Sequence, residues 1–253
     1  MVDFDLGSHV FLVSTSSNEA QRFFDLGLNW CFGFNQEEGL ACFKAAAALD
    51  PACAMLHWGV AYAAGPFYNM PWCDFSEVEA TECTAFCRGH LDQALALSDG
   101  ATALEAALIR ALAQRIQKPQ PVSQAEFDAW DDAYADAMRK VNSDFPGDQD
   151  VMALFVEAMM TRNPWHLWDV KKGCPIEGAD TLEAIGLCEQ AITLADRRGE
   201  AQHPAILHLH IHLLEMSPEP EKAMDSADRL GGLCPDAGHI HHLSLIHISE
   251  PTR

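Results

Sequence analysis

The chain is short of positive charge. Its 253 residues carry 16 lysines and arginines against 37 aspartates and glutamates, a formal net charge of −21. Nucleic acid and anionic membrane surfaces both need basic patches, and the longest basic runs here are the pairs Arg139-Lys140, Lys171-Lys172 and Arg197-Arg198. Those two partner classes are excluded, and a protein or peptide that meets this acidic surface is expected to be basic. Long apolar runs are also missing, so no stretch reads as a membrane-spanning helix. The opening MVDFDLGSHVFLV lacks a basic region before a long apolar core and does not read as a signal peptide, so the expected location is cytoplasmic.

The nine cysteines form no CxxC pair, and their odd, scattered placement reads as reduced thiols, several of them on apolar helix faces such as Cys42 and Cys188. Cys83 and Cys87 share a helix face, but two thiols do not make a zinc site. A nucleophile elbow, a phosphate loop, a dinucleotide fingerprint and HExxH are all absent. HLHIH (208–212) has no Glu after its first His, which removes the zincin mechanism. Strand-like alternation is missing except at SLIHI (244–248).

What is present is helical. Residues 1–15 read as an extended lead-in, and Ser16 with Glu19 has the spacing of a capping box. Ser76 with Glu79, Thr102 with Glu105, Ser123 with Glu126, and Asp180 with Glu183 repeat that signal ahead of further helices. Ser217 before Pro218 marks another start. Phe23, Leu26, Gly27, Trp30, Gly39, Phe43, Ala46 and Pro51 form a unit in which small residues let two helices approach, aromatics fill the gap and Pro51 stops the second helix. Ala223, Ala227, Leu230 and Pro235 repeat the second half of it, with Ala227 at an aromatic position and Leu230 at an alanine position. These spacings resemble the tetratricopeptide repeat, a helix-turn-helix unit of about 34 residues. Residues 3–242 resemble a group of large proteins built from that repeat, in which a His is usual where Gln36 stands here. The resemblance implies an all-α, right-handed helix-turn-helix repeat solenoid over residues 16–242 and no particular reaction. Aromatic loops near 65–75 and 162–178 interrupt it.

Residues 243–253, LSLIHISEPTR, leave the repeat register and resemble a translated sequencing-adapter remnant. They read as a non-native tail that truncates the array, with the authentic chain expected to continue after about His242, and His247 is set aside with them.

Seven of the twelve histidines fall in residues 203–242. His208, His212 and Glu215 are spaced i, i+4, i+7 on one first helix; His239 and His242 are spaced i, i+3 on the first helix of the next unit. First helices of neighbouring units lie side by side, so these five residues are the candidate ligands for a transition metal such as zinc, copper or iron. His208 and Glu215 are separated by about 10 Å of helical rise, so one ion would take His212 with either of them, plus His239 and His242. A dinuclear site would use all five. Imidazole nitrogens farther apart than about 8 Å across the two helices would exclude a shared ion. Glu215 is also a candidate general base. His203, His210 and His241 read as packing or surface residues.

Tyr68, Trp72, Trp165 and Trp168, on the two aromatic loops, are the candidate partner-binding residues. The two functional expectations are a repeat scaffold that takes a peptide or protein in its concave groove, and a metalloprotein built on the histidine cluster.

Overall fold

The computed structural model describes residues 4–240, and within them the chain is mostly helical. The helices are α1 (Asn18–Phe32), α2 (Gln36–Leu49), α3 (Ala54–Ala64), α4 (Glu77–Leu97), α5 (Ala103–Arg115), α6 (Gln124–Asp144), α7 (Gln149–Thr161), α8 (Thr181–Arg198), α9 (Pro204–Leu214) and α10 (Met224–Leu230). The backbone turns helical again at 238–240. The capping boxes of Ser76 with Glu79 and Thr102 with Glu105 are both formed, and Ser123 caps α6 by accepting from the Glu126 N–H. Three local expectations are corrected. The cap of α1 is Ser17, whose hydroxyl accepts from the Ala20 N–H, rather than a box between Ser16 and Glu19. Asp180 makes no capping bond because its carboxylate is taken by Arg162. The turn after Ser217 continues to a 3-10 segment at Pro220–Ala223 before α10 begins. Two short strands, β1 (Trp168–Asp169) and β2 (Cys174–Pro175), pair antiparallel within the second aromatic loop, where no strand pattern was legible. SLIHI, His241, His242 and the tail lie outside the described residues.

Each helix packs on the next, as short connections require. The odd-numbered helices lie inside. Every residue from Ala54 to Ala63 in α3, from Val151 to Thr161 in α7 and from Pro204 to Leu214 in α9 is buried. The even-numbered helices bury one stripe only; α2 buries Gly39, Phe43 and Ala46. The inner helices also close on themselves. α1 meets α3, α3 meets α5, α7 meets α9, and α9 returns to α1. The remaining link, α5 to α7, is the buried Arg115 guanidinium, which donates to both Glu157 oxygens and to Asp131 of α6. Thus the inner face of the first helices is packed rather than open. A cavity of about 10 Å3 lies there among Cys31, Phe34, Tyr62, Glu157 and Leu209, roughly one water's worth of space.

The close approach read from the glycines is present. Phe43 is fully buried, and its ring sits between Gly27 of α1 and Gly59 of α3. A Cβ at Gly59 would lie 2.3 Å from the ring, and one at Gly39 would lie 2.5 Å from the Cys31 sulfur. Burying a phenylalanine in this way contributes about 1.5–3 kcal/mol.

The lead-in runs back over the inner helices as a strap. Its Phe11 and Val13 N–H groups donate to Asp25 and Gln21 of α1, and Ser14 donates twice to the buried Glu105. At its start, the Asp5 N–H donates to the Asp236 carboxylate at 2.6 Å, and the Asp236 N–H donates back to the Asp5 carbonyl. Gly7, at φ +85°, passes so close to the Leu233 carbonyl that a Cβ would lie 2.0 Å from it. This strap holds the segment after α10, with Leu6, Trp30, Ala237 and Ile240 in one small core against α9.

Candidate metal centre

α9 places His208 and His212 one turn apart on its buried inner side, and the strapped segment brings His239 over them. One nitrogen from each of the three imidazoles lies within 4.8 Å of the others, well inside the 8 Å limit.

The outer nitrogens fix the tautomers. The His208 Nδ1–H donates to the Phe32 carbonyl at 2.6 Å, and the His212 Nδ1–H donates to the Glu215 carboxylate at 2.8 Å. Both Nε2 atoms then carry lone pairs, and they face each other at 3.1 Å. Two lone pairs that close repel each other unless a proton or a metal cation lies between them. An ion bound at about 2.0–2.1 Å from each nitrogen sets tetrahedral neighbours about 3.3 Å apart, close to this spacing. Burial, with His212 and His239 alongside, holds His208 well below the usual imidazole range and so keeps it neutral, the ligating form.

Glu215 is therefore not among the converging atoms; it stands behind His212 and orients it, a correction to its place as a candidate ligand. The general-base role would need this carboxylate free. His242 falls outside the described residues. His210 turns away as expected and pairs with Ser226 at 2.8 Å.

The cluster is walled by aromatic rings. Phe34 lies 4.3 Å from His208 and 5.4 Å from both His212 and His239, centroid to centroid. Phe34 and Trp165 are the two non-glycine residues at positive φ among the described residues, at +57° and +62°. For bulky side chains that conformation costs about 1–2 kcal/mol, and strain of this kind gathers at functional sites. Trp165 lies 6.3 Å from His212 and 5.0 Å from Tyr68, which is itself 5.8 Å from His212.

Of the four aromatics expected to face a partner, Tyr68 and Trp72 are only 1% and 2% exposed. Tyr68 is a wall of the histidine cluster, and Trp72 stacks on Phe127. The Trp168 indole N–H donates to the Leu213 carbonyl at 2.7 Å and ties its loop to the end of α9. Trp165, 43% exposed, is the one that presents surface. The correction has a simple cause: both loops fold inward over the ends of the inner helices, because apolar rings have more to gain there than in water.

A second cluster was missed in the sequence. His9, Asp150 and His203 come together from the lead-in, α7 and the start of α9. The His9 and His203 Nε2 atoms lie 2.9 and 3.2 Å from the same Asp150 oxygen. Burial alone would raise the Asp150 carboxyl, but the two histidine hydrogen bonds outweigh it and hold it below the usual carboxylate range. His203 caps α9, its Nδ1 accepting from the Ile206 N–H, so its proton sits on Nε2 and is donated to Asp150. In that tautomer His203 ties the start of α9 to Asp150, and through it to His9 of the strap, whereas the opposite tautomers at His208 and His212 turn their Nε2 lone pairs toward each other. Sequence spacing could not reveal this cluster, since its members are far apart in the chain and share no period.

No protein-family model matches the chain, and no curated protein matches it. Among the described residues no helix is long and apolar enough to cross a membrane.

Proposed function

We propose that this is a metalloprotein in which His208, His212 and His239 hold one transition-metal ion of the zinc, copper or iron class. The reading is carried by one observation: two imidazole lone pairs, each fixed by a hydrogen bond on the opposite ring nitrogen, meet at 3.1 Å inside the protein. Three histidine nitrogens leave a four-coordinate ion one position for water or a ligand. Glu215 serves by setting the His212 ring and raising its basicity, and Phe34 and Tyr68 exclude bulk water from the same side. For the architecture, we propose a tetratricopeptide-like repeat array. It is supported by the alternation of inner and outer helices and by the glycines that seat Phe43.

The test is elemental analysis of the purified protein, followed by titration of the metal-free form with zinc, copper(II) and iron(II). About one equivalent per chain is expected, with His212→Ala and His239→Ala each losing it. Wild-type protein that carries no metal and takes up none of the three ions would sink this reading. The peptide-scaffold reading keeps one observation in its favour, a cleft between the aromatic loops.

A further inference from the structure

The two aromatic loops enclose a cleft of about 540 Å3, lined among others by Trp72, Asp74, Asp128, Asp131, Arg162 and Trp165. That volume is in the range of ligand-binding pockets. Three carboxylates face one guanidinium in this wall, and the guanidinium is already engaged: Arg162 donates to Asp132 and Asp180, away from the three. Asp131 is the informative member. It is 6% exposed, its Oδ1 takes the Arg115 Nε–H at 3.3 Å, and its Oδ2 receives no hydrogen bond among the described residues. Arg115 must also serve Glu157, so one buried cation is shared by two buried carboxylates, and the group is net negative whenever Asp131 is ionised. That charge is costly unless Asp131 takes a proton or something positive completes it. Burial raises the Asp131 carboxyl to about 7 against the pull of Arg115, as expected of a carboxylate short of positive partners.

We propose that this cleft binds an organic cation on an apolar stem, an ammonium or guanidinium of the lysine or arginine type. The head group pairs with Asp131, with the exposed Asp74 and Asp128 beside it. The stem lies along Trp165, whose ring adds a cation–π contribution. The strained Trp165 also touches Tyr68 and stands at the edge of the histidine cluster, so an occupant of the cleft would sit one residue away from that centre. Nothing in this inference requires the metal.

The cation has two sources, a free amine or a side chain of a basic peptide, and the probes separate them. The full chain is titrated with agmatine, with acetyl-Gly-Arg-Gly-amide and with the neutral citrulline peptide of the same shape, following tryptophan fluorescence and heat. Saturable binding of at least one cationic probe is expected, with the citrulline peptide weaker by about tenfold or more, the loss of a charge-assisted hydrogen bond. Asp131→Asn should weaken the cationic probe by a similar factor, and the exposed Asp128→Asn by a few-fold. A tighter peptide than agmatine assigns the site to a peptide-borne cation, and the reverse assigns it to a free amine. The proposal is overturned if neither cationic probe binds, if citrulline binds as well as arginine, or if Asp131→Asn binds like the wild type. Should Asp131→Asn fail to fold, as judged by circular dichroism, Asp128→Asn decides, and unchanged affinity there overturns the proposal.

Discussion

Gly59→Ala should destabilise the protein although alanine is the better helix former. The new Cβ would stand 2.3, 2.6 and 2.9 Å from Cδ1, Cε1 and Cγ of Phe43, where carbon atoms in contact need about 3.5–4.0 Å. The ring would have to move by roughly an ångström, and it has nowhere to go. A Cβ at Gly27, on α1, would lie 3.0 Å from the same ring, and Phe24 meets it edge-on at a centroid distance of 5.2 Å. Overpacking of this kind costs about 1–3 kcal/mol, while replacing glycine in a helix returns about 1 kcal/mol. A Cβ only 2.3 Å from the ring takes the upper part of that range, about 2–3 kcal/mol, so the net loss is about 1–2 kcal/mol and Tm should fall by roughly 2–8 °C for a chain of this size. Gly27→Ala, with its nearest contacts at 3.0 Å, should cost less. The assay is urea and thermal unfolding at fixed metal content, because a bound ion shifts Tm by mass action. Phe43→Leu in the same chain should recover at least half of the Gly59→Ala loss, a coupling that a double-mutant cycle measures. A Gly59→Ala protein as stable as wild type, or a cycle with no coupling, would refute the claim that these glycines exist to seat the ring.

Glu215→Gln keeps the shape of the His212 contact but removes its charge, and metal affinity should fall by about 10–100-fold with the fold intact, read by competition against a chromophoric chelator. An unchanged affinity would remove Glu215 from the centre. Asp131 gives a pH prediction. Its folded value is raised from 3.8 to about 7 by burial and by Glu157 and Asp128, with Arg115 opposing. The folded state therefore holds a proton that the unfolded chain has released, so this group's contribution to stability declines as pH rises from about 4 to 7. Asp131→Asn should accordingly be more stable than wild type at pH 8, with the advantage shrinking as pH falls below about 7, in urea midpoints measured across that span. A variant less stable than wild type at pH 8 would contradict this sign. Together with the cation titration, the result would mark Asp131 as a residue held at a cost to the fold.

The helical character, the formed caps at Ser76 and Thr102 and the close approach at Gly27 and Gly39 were legible because each depends on spacing of a few residues along one or two helices. The i, i+4 pairing of His208 with His212 belongs to the same class, since helical geometry alone places both on one face. The four loop aromatics were legible as a group, but their side was not: rings on an inserted loop serve equally well outside or inside, and here the open ends of the inner helices drew Tyr68 and Trp72 in. Phe34 carried no period at all, being a loop residue whose importance lies in a left-handed backbone beside three histidines.

From its sequence alone this protein was bound to be an acidic, helical chain with two imidazoles one turn apart on one helix face. The tertiary structure decided the rest. It buried α3, α7 and α9 along most of their length, used the lead-in to bring His239 onto α9, and turned Glu215 from a candidate ligand into the partner of His212. Those outcomes depend on contacts between residues as distant as Phe32 and His208, or Asp5 and Asp236. Local spacing determines which face a side chain takes, and only the packed chain determines which atoms meet across it.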